Sequence, residues 1–206
     1  MNGRGTVAIF LGLLLSYSTC QANITSLSYA SDGDGAFVCS NYTWTGSSPT
    51  LPMAVYGYQC GPTGHLLADI YTDSASDPTL TVGSFVDNDT TFAWTAYFVN
   101  VYMSAPFALS NIVVSTPGDW TVVSISQPTF TGTNYEGSFQ LDTGAAIPIG
   151  GDLGFGYSMI FSSATHYSFT QEMCPVPVPE PGVVSFLAFG ALLLCGFTVA
   201  RARHGH

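Results

Sequence analysis

Apolar and polar residues alternate in short runs along most of this chain, and clusters of Gly, Pro, Asn and Asp separate the runs. A period of two marks a strand with one face covered and the other in water. The plainest instance is 135–142, where Tyr135, Phe139 and Leu141 point one way and Glu136, Ser138, Gln140 and Asp142 the other. In 154–161 the apolar face carries Phe155, Tyr157, Met159 and Phe161. The strongest run, 91–103, is apolar on both faces. Phe92, Trp94, Phe98 and Tyr102 line one, and Tyr97, Val99, Val101 and Met103 the other, which predicts a central strand covered on both sides. Further strands are predicted at 24–30, 36–45, 53–58, 65–72, 80–86, 108–115, 120–127 and 165–172. No long segment of this region has a helical period, and no internal repeat is visible. The spacing predicts an all-β fold, an antiparallel β-sandwich or jelly roll.

Both ends of the chain break this pattern. Arg4, an apolar run over 6–15 and the small, polar stretch Ser16 to Ala22 read as a signal peptide over 1–22, cleaved after Ala22. A lipoprotein would acylate Cys20, but Tyr17 stands where that signal needs a large aliphatic residue. The predicted β ectodomain then occupies 23–173, enough for one hydrophobic core. A Pro-rich linker follows at 174–181, with prolines at 175, 177, 179 and 181 that favour extended polyproline II. The apolar run 182–200 is long enough to cross a hydrocarbon core of about 30 Å as a transmembrane helix at about 1.5 Å per residue. Arg201 and Arg203 give the last segment, 201–206, the basic character of a cytoplasmic tail.

The ending Pro179-Glu180-Pro181, apolar span, then Arg201 and Arg203 resembles the PEP-CTERM sorting signal of exosortase substrates in Gram-negative bacteria that make extracellular polysaccharide. The resemblance covers about an eighth of the chain. It implies an exported protein, anchored in the membrane as a precursor. A membrane-embedded exosortase-type enzyme would process it near the Pro-Glu-Pro and deliver it to the cell surface or biofilm matrix. The alternative for the same residues is a permanently anchored single-pass protein on a proline stalk.

Charge narrows the partners. Between residues 23 and 180 there is no Lys or Arg, while all 13 carboxylates of the chain lie there. Nucleic acid and anionic lipid heads are repelled by such a domain. Lysine Schiff-base chemistry and arginine clamps are excluded. Cys39, Cys60 and Cys174 remain after the leader and the span are set aside. Export places them in an oxidising compartment, and one of three is left over. Cys39 and Cys60 are the nearest pair in sequence, and closing that loop would contribute roughly 3 kcal/mol, but all three pairings stay open.

No motif assembles catalytic machinery. Asp142-Thr143-Gly144 matches the aspartic-protease loop, yet it follows an amphipathic strand and reads as a turn. Asp32-Gly33-Asp34-Gly35 and Asp87-Asn88-Asp89 resemble fragments of calcium loops and read as solvated β-turns, so no metal or cofactor is expected. His65 and Asp69 share a face at wide spacing, and His166 reads as an ordinary strand residue. Asn23, Asn41 and Asn88 head N-glycosylation patterns, which matter only in a eukaryote. The expected role is non-enzymatic. A carbohydrate-binding module is the second reading, because aromatic side chains stack on sugar rings and a matrix protein has polysaccharide beside it. Tyr42, Trp44, Tyr56, Tyr58 and Trp120 are the stacking candidates, Trp44 and Trp120 foremost.

Overall fold

The structure, a computed structural model, describes residues 22–44, 48–74, 78–162 and 164–179. The predicted leader through residue 21, Glu180, Pro181, the 182–200 span, Arg201 and Arg203 lie outside the described residues.

Among the described residues, eleven strands pack as two sheets. The six-stranded sheet runs β1 (Ile24–Ser31), β4 (Gly64–Thr72), β11 (His166–Pro177), β6 (Trp94–Met103), β9 (Tyr135–Ile147), β8 (Thr121–Phe130). The five-stranded sheet runs β2 (Phe37–Trp44), β3 (Thr50–Gln59), β5 (Thr79–Asn88), β10 (Asp152–Phe161), β7 (Phe107–Thr116). Each predicted strand corresponds to one of these. The period of two is legible because each sheet buries one face: alternate residues of β3, β4 and β5 are buried in turn. The core between the sheets is strongly aromatic, with Trp94, Tyr97, Phe139, Phe155, Tyr157, Phe161 and Tyr167 at most 2% exposed. A buried hydrogen bond crosses it, from the Tyr97 hydroxyl on β6 to Gln59 Oε1 on β3 at 3.0 Å.

Four expectations are corrected. All the named strand pairs are antiparallel except one: β3 and β5 pair in parallel, Thr50 with Thr79 through Gln59 with Asn88. The chain leaves β3, runs back through β4 in the opposite sheet and returns beside β3, a crossover that forces the parallel direction. β6 is central, between β11 and β9, but only its inner face is covered; Phe98 on the other side is 37% exposed. A register shift between Trp94 and Ala96 turns Trp94 and Tyr97 to the same, inner side. Asp142, Thr143 and Gly144 make no turn, because β9 continues to Ile147. Gly144 takes φ +140, and a Cβ there would come within 2.6 Å of the Asp119 carboxylate, whose Oδ2 accepts the Ala145 N–H at 2.7 Å.

The fourth correction concerns the proline run. β11 extends through Pro177, with Pro175 opposite Tyr97 and Pro177 opposite Trp94. Pairing with β4 stops at Met173, so beyond it β11 has a neighbour on one side only. Val178 N–H reaches Ala93 O at 2.9 Å, which sets the parity: Val176 and Val178 face β6, and the prolines turn their missing donors to the open side.

The edges share a further feature. The four edge strands are β1, β8, β2 and β7, and each carries a register shift with the extra residue on the edge strand itself. Asn111 of β7, at φ 50, sits at one of these bulges.

Candidate functional site

The two outer faces differ in character. On the six-stranded sheet the polar side chains bond to one another. His65 Nδ1 lies 3.0 Å from Asp32 Oδ2, and its Nε2 lies 3.4 Å from Glu172 Oε2. Asn100 Nδ2 donates to Glu172 Oε1 at 2.8 Å. Farther along the same two strands, β4 and β11, His166 Nε2 pairs with Asp69 Oδ1 at 2.9 Å, and the His166 ring stacks on Tyr71 at 4.4 Å. Asp32, Asp34 and His65 bring potential ligand atoms within 4.8 Å of one another and could hold a divalent cation. Sequence separation hid His65 from the Asp-Gly-Asp-Gly loop. Both aspartates already turn back on their own loop, Asp32 accepting Asp34 N–H at 3.1 Å and Asp34 accepting Ala36 N–H at 2.7 Å.

The outer face of the five-stranded sheet is organised differently. Strand parity turns Tyr56 and Tyr58 of β3, Phe85 and Asp87 of β5 and Asp152 of β10 outward. The parallel register sets Tyr56 beside Phe85 and Tyr58 beside Asp87, and the antiparallel register sets Asp87 beside Asp152. The Tyr56 and Phe85 rings stack with centroids 5.2 Å apart and planes 11° apart, 41% and 44% exposed. Tyr58 is 38% exposed.

Beside this ridge the face drops into a trough. Gly83 of β5 lies directly opposite Gly156 of β10, and Gly154 lies opposite Phe85. A Cβ on Gly83 would meet only the Met53 carbonyl, at 3.8 Å, so the space above it is open. Thr81 and Ser158 form the far wall, their hydroxyls 3.1 Å apart. At the other end, Asp87 is held above the usual carboxylate range by partial burial, by a hydrogen bond with Asp152, and by the charges of Asp152 and Asp89.

The sequence candidates fare unevenly. Trp120 is 3% exposed and donates its indole N–H to Ala145 O at 2.8 Å, so it is a core residue and offers no stacking surface. Trp44 and Tyr42 are partly buried against the core, turned inward by the Cys39/Asn41 bulge in β2. Tyr56 and Tyr58 are exposed as the stacking reading requires. Phe85 was missed, since only the parallel pairing of β3 with β5 brings it beside Tyr56. Asn88 is buried, with Nδ2 donating to Phe92, Ile147 and Pro148 carbonyls, and cannot accept a glycan.

Cys39 and Cys60 are free thiols, as is Cys174. Cys39 pairs with Gly57, three residues before Cys60, so the two lie about 10 Å apart along the ladder, beyond the reach of a disulfide. Cys39 packs against the core and Cys60 is exposed.

No family model, no curated protein and no solved structure matches this chain.

Proposed function

We propose that the chain is an exported, non-enzymatic protein of the cell surface or biofilm matrix, and that its folded domain holds polysaccharide on the outer face of the five-stranded sheet. The observation that carries the binding reading is the parallel, exposed Tyr56–Phe85 pair beside a glycine trough. Sugar rings present apolar C–H faces that stack on aromatic rings, and their hydroxyls need donors and acceptors such as Thr81, Asp87 and Asp152. Such a face serves adhesion. The strand order β4-β11-β6-β9 against β5-β10-β7 supports a jelly-roll form of the sandwich.

Sorting rests on the sequence: the leader over 1–22, Pro179-Glu180-Pro181, the 182–200 span, and Arg201 and Arg203. An exosortase-type membrane enzyme is the partner this reading needs, with the span as a transient membrane anchor. Permanent anchoring is its rival.

Two experiments test the proposal. Sedimentation of the protein with insoluble polysaccharides should show binding, and Tyr56→Ala and Phe85→Ala should each weaken it about twofold to tenfold; binding unchanged in the double variant rejects the site. Mass spectrometry of the C-terminal peptide should find an extracellular form ending near Pro179 to Gly182, whereas a tail intact to His206 in the membrane rejects processing.

A further inference from the structure

We infer that the polysaccharide this face selects is a cationic amino-sugar polymer, with sugar rings on the Tyr56–Phe85–Tyr58 ridge and an ammonium group between Asp87 and Asp152. The inference rests on the binding reading above and adds the chemical class of the ligand.

Charge complementarity carries it. The stretch from 23 to 180 holds all 13 carboxylates of the chain and no Lys or Arg, so a polyanionic glycan finds nothing to pair with and is repelled. A neutral glycan would need only the rings and hydroxyls. The face offers more: two carboxyl groups in direct register, one strand along from the exposed Tyr58 ring. Neighbouring strands stand about 4.8 Å apart, so a sugar stacked on Tyr58 carries its ring substituents over Asp87. Like charges at Asp87 and Asp152 oppose each other when both are ionised, and Asp89 adds to the repulsion. An ammonium group between the two carboxyl groups relieves that repulsion while donating up to three hydrogen bonds. An N-acetylated sugar cannot, since its amide is neutral. The trough leaves room for the chain over Gly83 and Gly156, as far as the exposed Val113 side chain on β7.

The test uses the full-length protein in calorimetric titrations with three probes: chitosan oligosaccharides, their fully N-acetylated counterparts, and an uncharged glucan oligomer. The chitosan oligomers should bind about tenfold or more tightly than the acetylated ones, the scale of one desolvated charge pair. The double variant Asp87→Asn, Asp152→Asn should erase that preference and keep the weaker binding of the acetylated oligomer. Gly83→Thr, which fills the trough from a strand-compatible position, should weaken all three. Equal affinity for chitosan and its acetylated form overturns the amino-sugar inference, and so does a preference that survives the double variant, which would mark general attraction of a polycation to an acidic protein. Binding of the neutral oligomers alone leaves the polysaccharide reading standing and removes the inference. Binding of none rejects both.

Discussion

Tyr157 on β10 donates its hydroxyl to Gln171 Oε1 on β11 at 2.6 Å, joining the two sheets from the side opposite to the Tyr97–Gln59 bond. Both residues are fully buried, and Tyr29 donates to the same oxygen at 3.1 Å. Burial pushes the Tyr157 and Tyr29 hydroxyls well above their ordinary range, so both stay protonated donors. Gln171→Leu orphans two hydroxyls at once and should cost about 1–3 kcal/mol for each in chemical denaturation. Adding Tyr29→Phe and Tyr157→Phe should recover most of that loss. Among the described residues the Gln171 Nε2 has no partner, so the apolar replacement also removes a buried, unpaired amide.

Trp120→Ala should act on stability and leave glycan binding alone. The indole is buried and holds Ala145 O, and emptying such a site costs about 3–5 kcal/mol. The check pairs a denaturation curve with sedimentation binding by the fraction that folds. Equal weakening of binding in Trp120→Ala and Tyr56→Ala would contradict the assignment of Trp120 to the core.

The three thiols should separate in alkylation kinetics. Burial raises the Cys39 thiol above its ordinary range, and burial with the Glu172 charge does the same for Cys174, against a hydrogen bond with Thr63. Both therefore hold less reactive thiolate at neutral pH. Cys60 is exposed, so the fast phase with iodoacetamide should carry one equivalent and vanish in Cys60→Ser.

Acid should affect the carboxylates in opposite senses. Asp32 is held below its ordinary range chiefly by the Asp34 backbone N–H, and Asp73 chiefly by the Asn23 side chain. Their stabilisation is complete above the ordinary carboxylate range and is lost as pH falls through the lowered values. Asp87 is raised, so its penalty is present above the raised value and is relieved as pH falls through it. Asp87→Asn should therefore raise the melting temperature at neutral pH, with the gain shrinking as the buffer is made acid. Asp73→Asn should lower it at neutral pH, with the loss shrinking on acidification. The measurement is Tm against pH for both variants and the parent.

Strand positions were legible in the sequence because a sandwich covers one face of each strand. Phe155, Tyr157, Met159 and Phe161 are all buried on the side that alternation assigned them. Pairing was not legible, since parity says which way a residue faces and nothing about its neighbour. That is why Tyr56 and Tyr58 could be nominated but Phe85, Gly83 and Asp152 could not. Bulges defeated the rest: one residue inserted at Cys39/Asn41 turns Trp44 inward, and another in β6 between Trp94 and Ala96, extra relative to β11, moves Trp94 to the covered face. The prolines of β11 misled for a related reason. A proline excludes a central position only where both sides are paired, and at Pro175 and Pro177 one side is open.

The bulged edges bear on how such a protein behaves when it is crowded. Sheet edges are ordinarily guarded by lysines that repel an incoming strand, and residues 23–180 have none. Here the guard is a kink in the backbone at each of the four margins. Repulsion between charges fades in salt, whereas a misaligned row of donors and acceptors does not. Copies gathered densely on a surface should thus resist strand-to-strand fusion equally well in fresh water and in brine.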